Sequence, residues 1–151
     1  MIKIICLGKI KESFYKEACE EYLKRLTKYT KIELIELEDA NDNDVTYALN
    51  KEKEQIKKHL KISDNIIILD IKGTTKNSEE FADYIDKELT YNSNITFIIG
   101  SSNGLHEDIK SLTNKKISFS PLTFPHQLFR IILLEQIYRS FKIINNEQYH
   151  K

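Results

Sequence analysis

The last third of the chain, 117–151, constrains the possible folds more than any other stretch of the sequence. A short alternating run ends at Ser120-Pro121, and a long apolar stretch begins at Pro125. Proline suits the first turn of a helix, because the backbone N–H that it lacks would have no partner there. At about 100° per residue, a helix over 128–141 carries apolar side chains on every side. Such a helix must be buried, and we expect it to pack against its own sheet and against a second copy of the chain.

Size and composition indicate one ordinary globular domain. A chain of 151 residues and 17.8 kDa is long enough for one hydrophobic core and too short for two. Apolar residues make up 40% and charged residues 30%, as in typical globular domains. No apolar run has the length of a membrane span or of a signal sequence. We therefore expect a single domain over residues 1–151, in the cytoplasm, with Cys6 and Cys19 as buried free thiols.

The charge pattern gives no global argument for binding nucleic acid. Basic and acidic residues number 23 each, so the formal net charge is zero. Residues 1–31 nevertheless carry eight basic and four acidic side chains, and residues 36–44 carry five acidic ones. This asymmetry is compatible with a basic face that meets phosphates, although a solvated helix surface is the simpler interpretation.

Hydrophobic periodicity predicts strands that alternate with helices along the whole chain. Ser13 is a candidate cap of the first helix, and Ser78 with two glutamates is expected to open the third. The pattern predicts an α/β fold, with a mostly parallel sheet and helices on both faces. The predicted strands lie at 2–7, 32–37, 66–69, 95–99 and 117–119, and helices are predicted over 12–29, 45–60, 78–89, 106–112 and the C-terminal stretch.

Three loops are candidates for a ligand site, because ligands of parallel sheets gather at the carboxyl ends of the strands. The first loop follows Leu69, and the second, 100–104, has the sequence Gly-Ser-Ser-Asn-Gly. The third loop, 119–125, combines two prolines with bulky apolar side chains. A stiff backbone with an apolar lining suits a flat heteroaromatic ring held by backbone groups.

Several common motifs are absent from the sequence. It contains no G-x-G-x-x-G after the first strand, no phosphate-binding G-x-x-x-x-G-K-[ST], and no G-x-S-x-G nucleophile elbow. Its four histidines lack the spacing of metal ligands, so no metal site is expected. His126, just inside a helix start, is interpreted as a structural hydrogen-bonding residue. The residues alone therefore predict an α/β domain with a ligand site in its last loops, and they leave the ligand open.

Four segments of the chain carry a resemblance to a known family. These are 2–11, 69–73, IIGSSNGLHEDI at 98–109, and SFSPLTFPHQLFRIILLEQIYRSFKIINNEQYHK at 118–151. Together they resemble the bacterial RlmH family, small SPOUT-class methyltransferases that act on a pseudouridine of large-subunit ribosomal RNA. The resemblance spans essentially the whole chain. Its most specific parts are the block from Thr123 to Ile143 and the terminal Tyr-His-Lys.

The resemblance implies a SPOUT-type C-terminal trefoil knot, a homodimer, and S-adenosyl-L-methionine as the cofactor, bound in bent form by the knot loops. It also implies methylation of N3 of a pseudouridine in ribosomal RNA. Because the net charge is zero and the chain is small, we expect this RNA to be recognised as part of the ribosome, and we expect neither a membrane nor a metal partner. Carried over position by position, the implied cofactor contacts are Leu69, Gly100, Phe119, Ser120, Pro121, Leu122, Thr123 and Phe124.

The reaction itself suggests catalytic candidates. The acceptor N3 is an imide nitrogen that must lose its proton, so a nearby base or positive charge would help. His150 and Tyr149 in the tail are candidates for the base, and Arg139 for stabilising the developing anion or gripping phosphate. Glu135 and Arg139 could instead form an ordinary pair four residues apart on the helix.

Two departures from the family pattern keep an alternative open. Ser101 stands where the family usually has glycine, which predicts strain if that position needs a left-handed backbone. Asn145-Asn146 replaces a tail glycine, a milder change because asparagine tolerates that conformation. The alternative function is therefore a ribosome- or RNA-associated binding protein with a degenerate cofactor pocket. An unrelated ATP- or NAD-binding enzyme is disfavoured by the missing phosphate motifs.

Overall fold

The computed structural model describes residues 1–149, and these form a five-stranded sheet covered by helices on both faces. Every strand pairing is parallel, and the strand order is β2-β1-β4-β3-β5. The predicted α/β fold with a parallel sheet is therefore confirmed. The strands are β1 (Ile2–Leu7), β2 (Ile32–Leu37), β3 (Ile66–Thr75), β4 (Ile95–Ile99) and β5 (Lys116–Ser118).

The helices are divided between the two faces of the sheet. One hydrophobic cluster packs α1, α3 and α5 against one face, and a second cluster packs α2 and α4 against the other. Side chains of β1 alternate between them, with Ile4 in the first cluster and Ile5 in the second, as the period of two requires. The helices are α1 (Ser13–Leu26), α2 (Val45–Lys57), α3 (Ser78–Tyr91), α4 (Glu107–Lys110) and α5 (His126–Ile144).

The start of α1 differs from the sequence expectation, whereas the start of α3 agrees with it. Ser13 is the first helical residue of α1 rather than its cap, because the residue with extended backbone is Glu12. Helix α3 begins at Ser78 with two glutamates in its first turn, as predicted, and its N-cap is Asn77. Its side chain accepts from the backbone N–H of Glu80, whose carboxylate accepts in return from the backbone N–H of Asn77. This capping box satisfies two N–H groups that the helix itself leaves unpaired.

The third strand is longer than the sequence predicted. The prediction ended it at Leu69, but β3 continues to Thr75 after an irregularity in its pairing with β5. Gly73 makes this second stretch possible, since a Cβ there would lie 2.6 Å from the backbone of Ile117.

Helix α5 is covered along its whole length, with every residue buried or half-buried. Pro125 is its N-cap, one residue before the predicted first turn. Leu134 and Phe141 are buried in the chain's own core, whereas Leu128 and Ile132 remain half-exposed. Cys6 and Cys19 are free and buried, as predicted. Within residues 1–149, no helix combines the length and apolarity needed to cross a membrane. The single domain and the trefoil knot stay predictions.

Candidate functional site

The three candidate loops meet at one edge of the sheet. Strands β4, β3 and β5 are neighbours, so the loops after β4 and β5 lie beside residues 69–72. The segment after Leu69 was predicted to be a loop, but it continues β3. These three segments enclose a cavity of about 690 Å³, a size typical of small-molecule sites. Its walls come from these segments and the start of α5. The lining residues are Leu69, Asp70, Ile71, Lys72, Ile99, Gly100, Ser101, Ser102, Gly104, Leu105, Lys110, Ile117, Ser118, Phe119, Ser120, Leu122, Thr123, Phe124, Pro125, His126 and Phe129.

The cavity brings together most of the residues predicted to hold the cofactor. Seven of them line it, namely Leu69, Gly100, Phe119, Ser120, Leu122, Thr123 and Phe124. Pro121 is not among the described lining residues. The sequence did not assign His126 to the cavity, which it also lines. His126 directly follows the third loop in the sequence, and this position could have indicated that it lines the cavity.

The second loop is a tight turn that does not require strain at Ser101. The N–H of Ser101 donates to the carbonyl of Gly104 at 3.2 Å, and the N–H of Gly104 donates back at 2.9 Å. Gly104 takes the left-handed conformation, with φ of 78°. Among non-glycine residues of 1–149, positive φ occurs at Asn146 (54°), so Ser101 is not strained in this way. The turn folds back closely, because a Cβ on Gly100 would lie 2.6 Å from the Gly104 oxygen.

The third loop supplies an aromatic wall and a stiff backbone. The ring of Phe129 lies 5.4 Å from that of Phe119 and 6.3 Å from that of Phe124, the latter nearly parallel. Ser120 holds the loop from within, since its hydroxyl accepts from the N–H of Leu122 at 3.0 Å. Aromatic surface beside fixed backbone groups is suited to a flat ring with polar edges.

The loop after β1 positions the start of α5. A Cβ on Gly8, whose φ is 91°, would lie 2.5 Å from Nε2 of His126. The backbone N–H of Lys11 donates to Oε1 of Gln127 at 2.8 Å. Arg130, fully buried, donates to the carbonyl of Gly8 at 2.6 Å. These contacts fix the first turn of α5, which carries the cavity residue His126.

The candidate catalytic residues form a separate group. Arg139 donates to Oε1 of Glu135 at 2.7 Å, and the hydroxyl of Tyr149 donates to the same oxygen at 3.2 Å. The Arg139 guanidinium lies 4.7 Å from the Tyr149 ring centre. The structure thus brings Arg139 and Tyr149 together, but neither is among the described residues that line the cavity of the same chain. His150 lies outside the described residues.

Electrostatics in this group favour a hydrogen-bond donor over a base at Tyr149. Burial, together with the charge of Glu135, raises the pKa of Tyr149 to about 12. The hydrogen bond to Glu135 raises the pKa of Arg139, which therefore stays cationic. At neutral pH Arg139 is therefore a cation and Tyr149 a neutral hydroxyl, and both donate to the Glu135 carboxylate.

The start of the tail is anchored by Glu147. Its carboxylate accepts from Lys28 at 2.9 Å, from the hydroxyl of Tyr29 at 2.9 Å and from Lys142 at 2.6 Å. Asn146 enters this turn with its left-handed backbone, which asparagine tolerates. The tail is thereby attached to the surface where α1 and α5 meet.

We expect this anchor to persist at all but strongly acidic pH. The hydrogen bond from Lys142, followed by those from Lys28 and Tyr29, lowers the pKa of Glu147 to about 2. A depressed pKa contributes stability that is present above the unfolded value of about 4.3 and is lost as the pH falls towards 2. NMR signals of the Tyr29 ring, whose hydroxyl donates to Glu147, should hence be constant from pH 8 to pH 5. A transition centred between pH 5 and 7 would contradict this assignment, and Glu147→Gln should remove the acid transition altogether.

Residues 1–149 contain no group of three or more His, Cys, Asp or Glu side chains placed to hold a metal ion. The cavity is lined by apolar side chains, backbone turns and a charged rim. At that rim Lys110 lies 3.8 Å from Asp70.

Fold and cavity together define an α/β protein with a cavity of small-molecule size at the carboxyl edge of a parallel sheet. The comparison with known proteins then identifies its family. The sequence model of the family described as "Predicted SPOUT methyltransferase" matches residues 1–150, and the chain belongs to this family.

Relatives of this chain cover its whole length. It is 52% identical over 154 residues to "Ribosomal RNA large subunit methyltransferase H" of Caldicellulosiruptor saccharolyticus, with 100% of both chains covered. The protein of the same name from Clostridium botulinum is 50% identical over 157 residues, with 99% of each chain covered. Among solved structures, a probable methylase family protein from Haemophilus influenzae is similar with a TM-score of 0.57 at 15% identity. That match covers 96% of this chain and 66% of the other, and it supports the fold alone.

Proposed function

We propose that this protein transfers a methyl group from S-adenosyl-L-methionine to N3 of a pseudouridine in large-subunit ribosomal RNA, in the cytoplasm. The observation that carries the proposal is the end-to-end match to relatives named as ribosomal RNA large subunit methyltransferases. The cavity at the carboxyl edge of the sheet, built by the loops that the family resemblance pointed to, supports it independently.

The cavity fits the proposed cofactor in size and chemistry. Its volume of about 690 Å³ lies within the range of small-molecule sites. Phe119, Phe124 and Phe129 offer aromatic surface for an adenine ring, and the turns at 100–104 and 119–125 offer backbone donors and acceptors. When bound, this cofactor supplies a methyl group on a positively charged sulfur.

The proposed role of the loop residues is alignment. Leu69, Gly100 and the segment 119–124 would hold the donor so that its methyl group faces the acceptor nitrogen. Holding two reactants in line contributes up to about 7–11 kcal/mol to lowering a barrier. Gly73 and Gly100 allow the backbone segments of these walls to approach each other closely, because neither position has room for a side chain.

The tail residues and Arg139 would act on the acceptor. Removing the imide proton leaves negative charge on the ring, which the donors of Arg139 and Tyr149 would stabilise. His150 is our candidate for the base that takes the proton, a contribution of typically ~10²–10⁴-fold. The pKa of Tyr149, about 12, makes its hydroxyl a donor in this scheme.

A homodimer would bring these two groups together. Within one chain, Arg139 and Tyr149 lie away from the described lining of the cavity. The half-exposed Leu128 and Ile132 on α5 offer apolar surface for a second copy. In the proposed dimer, the tail of one protomer covers the cavity of its partner. Because the net charge is zero, we propose that recognition uses an RNA surface already assembled in the ribosome.

Two measurements test this function. Calorimetric titration with S-adenosyl-L-methionine should show binding, since a degenerate pocket would give no heat. Labelled methyl transfer should then be followed in parallel to free ribosomal RNA, separated subunits and whole ribosomes, with the modified nucleoside identified by mass spectrometry. Binding of the donor without transfer to any of these acceptors would contradict the proposal. Absence of donor binding would favour the alternative of an RNA-associated binding protein.

A further inference from the structure

A buried carboxylate lies directly behind the cavity. Glu52, in α2, is 2% exposed and is not part of the cavity lining. Its Oε1 accepts from the backbone N–H of Ala40 at 3.0 Å, and its Oε2 accepts from the hydroxyl of Ser101 at 3.0 Å. Burial raises the pKa of Glu52, and the bonds from Ala40 and Ser101 act in the opposite direction. A carboxylate is costly to bury, so its two partners indicate a specific role.

Ser101 links this carboxylate to the cavity. It lines the cavity with the backbone of the 100–104 turn, while its hydroxyl donates to Glu52 and accepts from the N–H of Asn103 at 3.3 Å. The turn has glycine at both ends, and glycine gives the backbone more freedom than any other residue. A turn of this kind keeps one shape only if neighbouring groups hold it.

Helix α2 also holds the segment that follows the turn. Lys53, the next residue after Glu52, forms an ion pair with Asp108 at 3.0 Å. One turn further on, Ile56 belongs to the same hydrophobic cluster as Leu105 and Ile109. The helix thus contacts the segment 100–110 through polar, charged and apolar groups. Two of these contacts involve residues that line the cavity, namely the apolar contact at Leu105 and the hydrogen bond from Ser101 to Glu52.

We propose that Glu52 is a positioning residue for the donor site, holding the 100–104 turn through Ser101 in the shape that receives S-adenosyl-L-methionine. This inference rests on the proposed function, because it takes that molecule as the occupant of the cavity. If the turn adopts other conformations in the free protein, the apparent affinity for the donor falls. It falls in proportion to the fraction of molecules whose turn has the conformation that binds the donor. Ser101, which stands where the family pattern usually has glycine, thereby has a structural use in this chain.

A purely structural role for Glu52 is the competing explanation, and the chain offers a matched control. Glu88 is another largely buried carboxylate, 13% exposed, which accepts from Asn65 at 2.7 Å and from Lys115 at 2.6 Å. These partners directly precede β3 and β5, so the network lies at the opposite edge of the sheet from the cavity. Glu88→Gln should lower stability without affecting the donor site.

The test compares Glu52→Gln, Ser101→Ala, their double variant and Glu88→Gln. Donor dissociation constants are measured by calorimetry, melting temperatures by circular dichroism, and amide exchange of residues 101–104 by NMR in the free protein. We expect Glu52→Gln and Ser101→Ala each to weaken donor binding by up to about tenfold, the loss of one hydrogen bond. The double variant should bind the donor no more weakly than Ser101→Ala alone, because Ser101→Ala already removes the hydroxyl through which Glu52 acts.

Amide hydrogen exchange of residues 101–104 should be faster in Glu52→Gln, in Ser101→Ala and in the double variant than in the unsubstituted protein. Glu88→Gln should keep donor affinity within about twofold of the unsubstituted protein while its melting temperature falls. Unchanged donor affinity in Glu52→Gln and Ser101→Ala would overturn the inference and leave the proposed function intact. Failure of the unsubstituted protein to bind the donor would overturn both.

Discussion

Removal of residues 149–151 is expected to abolish methyl transfer while sparing donor binding and the fold. The deletion takes away Tyr149 and His150, our candidates for a donor and a base at the acceptor nitrogen. The loss should be at least about 10²–10⁴-fold, the contribution of a placed acid or base. The anchor of the tail at Glu147 remains, and so do the cavity walls. Single-turnover transfer to ribosomes, calorimetry with the donor and thermal melting report the three properties. Full activity in the shortened protein would refute this role for the tail.

Complementation between two inactive variants tests whether the tail acts on the partner's cavity. Leu122→Arg places a bulky cation at the rim of the donor cavity and should block binding of the positively charged donor. A dimer formed from this variant and the tail-deleted chain contains one intact cavity and one intact tail, on different protomers. If the tail acts across the dimer, an equimolar mixture should recover about a quarter of the original activity. About half of the dimers are mixed, and each mixed dimer has one working site out of two. Recovery near zero would place the tail over its own cavity.

The sequence predicted the sheet well because its central strands are unambiguous. Ile66–Leu69 is a continuous apolar run and Ile95–Ile99 is apolar except for Thr96, as expected of strands buried on both faces. Parallel strands place their carboxyl ends at one edge, so three loops separated in sequence could be assigned to one site from the strand pattern alone. The same logic, with the family resemblance, predicted seven of the lining residues. Pro121, not among the described lining residues, shows that a loop can be located without knowing which side chains face inward.

Other features depend on tertiary contacts that periodicity does not contain. The extension of β3 to Thr75 requires β5 alongside, since Thr74 pairs with Ile117 after the irregularity. The role of Glu52 was hidden for a similar reason. It lies in a highly charged helix, and its partners Ala40 and Ser101 are distant from it in sequence. A lone buried carboxylate is recognised only when the segments around it have been placed.

Arg130 is the clearest residue that sequence reasoning missed. It is fully buried in α5, although arginine is among the residues least often buried without a partner. Its guanidinium pairs with Glu36 of β2 and donates to the carbonyl of Gly8, while its Nε has no hydrogen-bond partner among residues 1–149. The available signal was a single cation within the apolar stretch 128–134, which needs a counter-charge wherever that helix is buried.

We expect substitution of Glu36 to lower the stability of the protein more than substitution of its partner Arg130. Glu36→Gln leaves a fully buried cation without its counter-charge and should lower the free energy of unfolding by about 3 kcal/mol. For a chain of this size, such a loss corresponds to a fall in melting temperature of roughly 6–12 °C. Arg130→Met should cost less, about 1–2 kcal/mol, since it leaves the Gly8 carbonyl unpaired but no buried charge. The remaining Glu36 side chain, 35% exposed, can reach water.

Urea denaturation of both single variants and the double variant measures this asymmetry. The double variant should be more stable than Glu36→Gln alone, because removing the stranded cation relieves the penalty. Glu38→Gln, just after the end of β2, is the matched control, since its pair with Lys9 at 3.0 Å is exposed on both sides and its loss should change stability little. Equal losses for Glu36→Gln and Arg130→Met would contradict the argument. Since the same guanidinium holds the loop after β1 against α5, Glu36→Gln should also loosen the turn that carries His126 into the donor cavity.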